Sequence, residues 1–186
     1  ILGSGLIGLS TALLLEKYGL GSIIIDKSSI NLLKSTNDKR TTAISQGSAR
    51  IYKQIGIWKD LIKYSQPIYK INVTEGFEVN GLTFDHEMTE QGVMGYIVEN
   101  KFIKKFLLDK VLKSKLIKMY CNNLVKSIKN LENKTLELKT QKGTTKCDLL
   151  VGADGRQSNT RKIGLFKYLY KNYNQNAYVF NIVHES

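Results

Sequence analysis

The chain has 186 residues, 42% of them apolar and one a proline, a composition that supports a sizeable buried core and excludes a disordered chain. No stretch approaches the ~18 consecutive apolar residues of a membrane span, and the chain opens on a motif rather than on a basic and apolar leader, so it reads as neither spanning nor secreted. The net charge of +12 comes from the later part, since residues 1–100 hold ten basic and ten acidic groups and residues 101–186 eighteen and six; with 24 lysines against four arginines, it reads as a solvated lysine face rather than a nucleic-acid grip.

ILGSGLIGLSTALLLEKYGLGSIIIDK places Gly3, Gly5 and Gly8 in G-x-G-x-x-G spacing, then an apolar helix, then the strand Ile23–Ile25 closed by Asp26. This is the order of a dinucleotide-binding βαβ unit. Gly3 permits the tight turn, Gly5 the approach of a pyrophosphate, and Gly8 close packing of helix on strand. The helix N-terminus offers N–H groups and a positive dipole end to phosphates, and Asp26 offers acceptors to ribose hydroxyls. Only Ile1 and Leu2 precede Gly3, whereas a first strand takes about five residues, so the true start is expected to lie further upstream.

Residues 38–58, DKRTTAISQGSARIYKQIGIW, begin polar and continue as an expected helix with Ala43, Ile44, Ile51, Ile55 and Trp58 as its apolar stripe. From Ile68 to Val98 come short alternating runs, INVTEGFEV, LTFD and GYIV, with Asn80-Gly81 between the first two as a hairpin signal. KFIKKFLLDKVLKSKLIK reads as an amphipathic helix packed on a sheet, with Phe102, Phe106, Val111 and Leu112 among its apolar positions and lysines opposite. NLVKSIKNL, KTLELKT and TKCDLLVGADG read as the strands of a meander. A βαβ unit, inserted hairpins and a meander together predict two interleaved domains. Cys121, Cys147, His86 and His184 lack ligand spacing, and no metal site is expected.

Against the lysine background the four arginines stand out. Arg40, Arg50, Arg156 and Arg161 each fall in a motif-like segment, the last two in VGADGRQSNTRK.

The combination of GSGLIG, DKRTTAIS, GYIVEN and CDLLVGADGRQSNTR resembles the flavin-dependent aromatic hydroxylases of the p-hydroxybenzoate hydroxylase type. Within that group, DKRTTAISQGSARIYKQIGIW and YNQNAYVFNIVHE look most like the ubiquinone-biosynthesis hydroxylases, which act on polyprenylated phenols. The resemblance covers essentially the whole chain. It implies an α/β fold, a Rossmann-like FAD-binding domain of the GR2 type with an interleaved, incomplete β-rich substrate domain. The expected division is residues 1–66 and 99–165 for the FAD-binding domain, 67–98 for substrate-domain strands, and 166–186 for the start of a second substrate-domain segment.

The resemblance further implies FAD as cofactor and NAD(P)H as co-substrate. Asp154 and Gly155 inherit a place against the FAD pyrophosphate, with Ser158 and Arg161 as the other matching positions of that motif and Arg161 anchoring the turn. Arg40 matches the arginine that contacts FAD near its phosphates and flavin, where a planar five-donor fork resists replacement by lysine. Asn100 falls where the family has Gln or Asn near the cofactor. Arg50 and Arg156 read equally as surface ion-pairing residues or as cofactor contacts. Two departures matter. The acidic residue after the second strand is usually Glu in the family, whereas Asp26 also suits NAD sites. The family's Gly-Asp pair at the ribityl chain is absent, so the chain is expected to be the amino-terminal half of a larger enzyme.

The function this predicts is a monooxygenase in which NAD(P)H reduces FAD and O₂ supplies the oxygen placed on a phenolic ring, a polyprenylated ubiquinone precursor being the expected substrate. The cofactor carries the hard chemistry, so no catalytic side chain is assigned. The competing readings are a prenyl-chain reductase of the same flavoprotein group, an NAD-linked dehydrogenase reading Asp26, and a non-catalytic module docking its lysines on anionic membrane or nucleic acid. The expected setting is the cytoplasm, with peripheral contact to the inner membrane or a biosynthetic complex and no nucleic-acid partner.

Overall fold

A computed structural model of the chain describes residues 1–35, 37–74, 81–88, 92–131, 134–164, 166–178, 180 and 182, so Asn80 and His184 lie outside the described residues. The chain divides into two units, Ile1–Ser35 with Leu107–Ser186, and Thr36–Phe106.

The first unit is built on a parallel layer. Strand β1 (Ser22–Ile25) pairs in parallel with β7 (Ile117–Tyr120), Ser22 opposite Ile117 and Ile25 opposite Tyr120. On the other edge of β1, Leu2 forms parallel bridges to Ile25 and to Gly152. The N–H of Leu2 donates to the carbonyl of Val151 and that of Ala153 to the carbonyl of Leu2, both at 2.8 Å. The opening residues thus lie between β1 and the segment that leads into the late Asp-Gly turn. Such a layer is covered on both faces, which explains the unbroken Ile23-Ile24-Ile25 run in place of alternation. Helix α1 (Leu6–Lys17) buries Leu9, Ala12 and Leu13 and stops where Gly19 takes φ 75°. A short helix α2 (Ile30–Lys34) follows β1, its N-terminus capped by the Ser29 hydroxyl.

The same unit contains an antiparallel meander of β8 (Val125–Asn130), β9 (Leu136–Thr140) and β10 (Gly143–Cys147), with β9 central. Leu2, Ile25, Val125 and Leu138 form one buried cluster, so the opening residues, β1 and the meander share a core. Helix α6 (Asn159–Ile163) is tied to the meander where Asn159 Nδ2 donates to the carbonyl of Val125 at 2.9 Å.

The second unit is centred on an antiparallel sheet in the order β2 (Thr41–Ser45), β6 (Gly95–Glu99), β3 (Ser65–Ile68). A β carbon on Gly95 would fall 2.6 Å from the carbonyl oxygen of Ile44, so only glycine allows β6 to pair this closely. Helix α3 (Gln46–Gln54) starts directly after β2, with the Ser45 hydroxyl accepting from the N–H of Ser48. Helix α4 (Trp58–Leu61) buries Trp58, whose ring meets Tyr96 edge-on at 4.8 Å between centroids. Hairpin strands β4 (Lys70–Val73) and β5 (Leu82–Asp85) pair antiparallel. Helix α5 (Asn100–Lys113) begins in this unit, where Phe102 stacks on Tyr64 at 4.2 Å. Its later residues Leu107, Leu108 and Val111, which belong to the first unit, are buried.

Three local expectations are corrected. Ala43 and Ile44 belong to strand β2, not to a helix, because β-branched Thr41, Thr42 and Ile44 favour extended backbone and Ser45 then caps a helix that begins only at Gln46. TKCDLLVGADG is not one strand of the meander, because β10 ends at Cys147 and Gly152 bridges Leu2 in parallel instead; of INVTEGFEV, Val73 pairs with Leu82, and residues 75–79 lie with Asn80 outside the described residues. Leu112 is 44% exposed, and the helix ends at Lys113, with Ile117 and Lys118 passing into β7.

Candidate functional site

The loop from the opening residues into α1 is specified by steric necessity at two glycines. Gly3 has φ 101°, and a β carbon there would lie 2.5 Å from the carbonyl oxygen of Ala153 and 2.9 Å from the α carbon of Asp154. A β carbon on Gly8 would lie 2.0 Å from the carbonyl oxygen of Gly3. The opening turn and the late Asp-Gly turn are therefore in direct contact. Gly5 differs. It is the N-cap of α1 with ordinary extended backbone, and a β carbon on it would meet no protein atom within 4 Å.

Asp26 ends β1 beside that turn. Its Oδ2 accepts from both the N–H and the hydroxyl of buried Ser4, each at 2.6 Å, and its Oδ1 accepts from the N–H of Ser28 at 2.7 Å. Burial by itself raises the pKa of Asp26, but the hydrogen bonds, led by the Ser4 hydroxyl, outweigh it and hold the carboxyl below its ordinary value. The carboxylate also lines the cleft at the end of β1, where an acidic residue suits a ribose hydroxyl.

Asp154 organises the late turn. Its Oδ1 accepts from the Ser158 hydroxyl at 2.6 Å, and its Oδ2 accepts from the N–H and hydroxyl of Thr160 at 2.8 and 2.9 Å. Burial pushes its pKa up, and the bonds from Ser158 and Thr160 bring it below the ordinary value. Ser158 in turn caps α6, accepting from the N–H of Arg161 at 3.1 Å. Gly155 takes φ 79°, a conformation in which any side chain is strained. Arg161 closes the turn by donating from Nη2 to the carbonyl of Arg156, and its guanidinium lies 5.1 Å from the centre of the Tyr168 ring.

A cavity of about 280 Å³ opens between these elements, lined by Gly3, Asp26, Asn123, Val125, Asp154 and Asn159 among others. Of these, Asn123 and Val125 carry no sequence motif; what they share is position beyond the carboxyl end of β7 or in the strand that follows it, where open parallel sheets bind ligands. Asn123 is buried, its Oδ1 lacks a hydrogen-bond partner among the described residues, and its N–H donates to the carbonyl of Asp26 at 2.9 Å.

Arg40 and Asn100 lie in the second unit, joined by Asp38, which opens the DKRTTAIS segment but has no role assigned from sequence. Arg40 Nε donates to Asp38 Oδ1 at 2.8 Å and Nη2 to Asp38 Oδ2 at 2.7 Å. That fork holds the Asp38 carboxyl down at about 2. Asn100 receives the Thr42 hydroxyl on its Oδ1 at 2.5 Å, donates from Nδ2 to Asp38 at a longer 3.5 Å, and donates from its N–H to the carbonyl of Arg40 at 2.9 Å.

Two features of the first unit fit a bound dinucleotide. The N-terminus of α1, twelve residues long, carries no side-chain cap, and a β carbon on Gly5 would meet nothing within 4 Å among the described residues, so first-turn N–H groups there suit a phosphate. The cavity beside it holds the Asp26 carboxylate. A parallel layer with a glycine turn into a helix, an acidic residue ending the next strand and a cleft at the strand ends defines a Rossmann-type dinucleotide-binding protein. The chain belongs to the FAD-binding domain family, whose model matches residues 1–186, and FAD is accordingly its cofactor. Over 186 residues it is 29% identical to the ubiquinone hydroxylase UbiL of Rhodospirillum rubrum, covering all of this chain and 43% of that protein. It is 27% identical over 206 residues to the mitochondrial ubiquinone biosynthesis monooxygenase COQ6 of Dictyostelium discoideum, covering 96% of this chain and 41% of that one. The crystal structure of PqsL, a probable FAD-dependent monooxygenase from Pseudomonas aeruginosa, superimposes with a TM-score of 0.76 at 15% identity, over 92% of this chain and 46% of PqsL. The chain thus spans less than half the length of these proteins.

Proposed function

We propose that this chain forms the FAD-binding part of a flavin-dependent monooxygenase that hydroxylates a phenolic ring, using NAD(P)H and O₂, with a polyprenylated ubiquinone precursor as substrate. The observation that carries the reading is the contact of the Gly3 turn with the Asp154 turn beside Asp26, together with the kinship to ubiquinone hydroxylases. Bound FAD supplies hydride acceptance and oxygen activation, chemistry that no side chain provides.

In this reading the chain's own residues hold and shield. Gly3, Gly5 and Gly8 bring the α1 N–H groups to the pyrophosphate, and Asp26 accepts from a ribose hydroxyl. Asp154 accepts from Ser158 and Thr160 and so shapes the turn that Gly155 and Arg161 complete. Arg40 contributes cationic donors to the cofactor, and Asn100 acts from behind it. Residues 1–66 and 99–165 serve the cofactor, and residues 67–98 and 166–186 contribute to the substrate side. The lysine-rich later part offers peripheral contact to an anionic inner membrane, where a substrate with a greasy tail resides.

The test uses the full-length protein. Purified with bound FAD, it is expected to consume NAD(P)H faster when a prenylated phenol is present and to place label from ¹⁸O₂ in the product. Protein that retains no flavin, or NAD(P)H use indifferent to any phenol, contradicts the reading.

A further inference from the structure

We propose that Asp38 is a positioning residue for the cofactor: it holds the guanidinium of Arg40 by one edge so that the other edge is presented, already oriented, to an anionic group of the bound dinucleotide. The proposal rests on the reading of Arg40 as a cofactor contact and deepens it.

Arg40 is 70% exposed, yet it is not a free cation waving in solvent. Both its Nε and one N–H of Nη2 are committed to Asp38, at 2.8 and 2.7 Å, and the Arg40 backbone N–H donates to the same carboxylate at 3.1 Å. A guanidinium has two edges that can grip an oxyanion bidentately, and this pairing uses the Nε edge. The edge formed by Nη1 and the second N–H of Nη2 is left for another acceptor. Asp38 is itself held on the sheet side: Asn100 Nδ2 reaches its Oδ2, Thr42 fixes Asn100, and the N–H of Asn100 ties the carbonyl of Arg40 to the start of α5. Thr42, Asn100, Asp38 and Arg40 thus form one chain of hydrogen bonds from strand β2 outward to the guanidinium.

Two effects of Asp38 on an incoming phosphate oppose each other. Its negative charge repels the phosphate, but across exposed, water-filled space that repulsion is screened. Its hold on Arg40 removes rotamer freedom from one of the most entropic side chains before the ligand arrives, which strengthens binding. The exposure of the pair makes the second effect the larger.

The experiment measures FAD dissociation constants of the full-length apoprotein by flavin fluorescence, for the wild type, Asp38→Asn, Asp38→Glu, Arg40→Ala and the Asp38→Asn/Arg40→Ala double variant, with thermal unfolding of each apoprotein alongside. Asp38→Asn is expected to weaken FAD about tenfold with an unchanged unfolding midpoint, Asp38→Glu by no more than about threefold, and the double variant is expected to be no weaker than Arg40→Ala alone, because a residue acting through Arg40 has nothing to act on once it is gone. Unchanged or tighter binding in Asp38→Asn, equal weakening in the Asn and Glu variants, or losses that simply multiply in the double variant would each overturn the positioning role while leaving Arg40 as a contact. Arg40→Ala with wild-type FAD affinity would instead remove the cofactor reading of Arg40, and this inference with it.

Discussion

Ser4 gives both its backbone N–H and its hydroxyl to the same oxygen of Asp26, each at 2.6 Å, so the second residue of the glycine motif and the acid ending β1 are locked together. Ser4 is 1% exposed, and its hydroxyl has no route to water in exchange. Replacing Ser4 with Ala removes one charge-assisted hydrogen bond and is expected to cost about 1 kcal/mol of stability in urea unfolding. It also raises the Asp26 pKa toward the ordinary carboxylate range, which a carboxyl NMR titration reads directly.

The three motif glycines are expected to separate by mechanism. Gly3→Ala and Gly8→Ala drive a β carbon into backbone that cannot yield, and each is expected to cost about 3 kcal/mol or more or to prevent folding. Gly5→Ala meets open space and should unfold within about 1 kcal/mol of the wild type, the loss coming from a poorer N-cap. Its FAD affinity, however, should fall at least about tenfold, because the methyl occupies the approach to the α1 N–H groups. Calorimetric midpoints and flavin titrations on the same samples distinguish the two kinds of glycine.

Acid sensitivity follows from Asp26 and Asp154, both held below their ordinary pKa by hydrogen bonds that outweigh burial. A carboxylate depressed in the folded state contributes stability that is fully present above its unfolded pKa of about 3.9 and is lost as pH falls through the lower folded value. Urea midpoints are therefore expected to hold steady between neutral pH and about pH 5 on account of these two groups and to drop below about pH 4. Asp154→Asn should flatten that drop and also lower stability at neutral pH by about 2 kcal/mol, since an amide offers one oxygen to three donors.

Arg40→Lys is expected to weaken FAD retention far more than Lys104→Ala. A lysine cannot reproduce the fork that grips Asp38 with one edge and a ligand with the other, whereas the half-buried Lys104 on α5 takes no part in that pairing. Equal flavin affinity in the two variants, measured by equilibrium dialysis, contradicts this.

Where the signal is local, the sequence was readable. The glycine spacing, the apolar α1, the isoleucine strand and Asp26 follow one another within thirty residues, and each demand there is steric or periodic. The meander was legible in part: NLVKSIKNL and KTLELKT hold β8 and β9, whereas TKCDLLVGADG joined the end of β10 to a separate segment that bridges Leu2, a division only the pairing reveals. The segment Thr41–Ser45 was misread because Ala43 and Ile44 fit a helical stripe as well as a strand, and pairing with β6 decides between them.

By itself, the sequence determined the class of the cofactor and the backbone turns meant to receive it, since those depend on glycines, a helix start and a strand end adjacent in the chain. Only the tertiary structure decided which distant residues meet them. The Asp154 turn comes against Gly3 because Leu2 bridges β1 and Gly152, Asn123 enters the cavity because β7 pairs with β1, and Asp38 acquires its place because Asn100 is brought to it by the pairing of β2 with β6. The physical reason is that a hydrogen bond or a steric contact acts over a few ångströms of space, and strand pairing across long loops, which no short motif encodes, sets those ångströms.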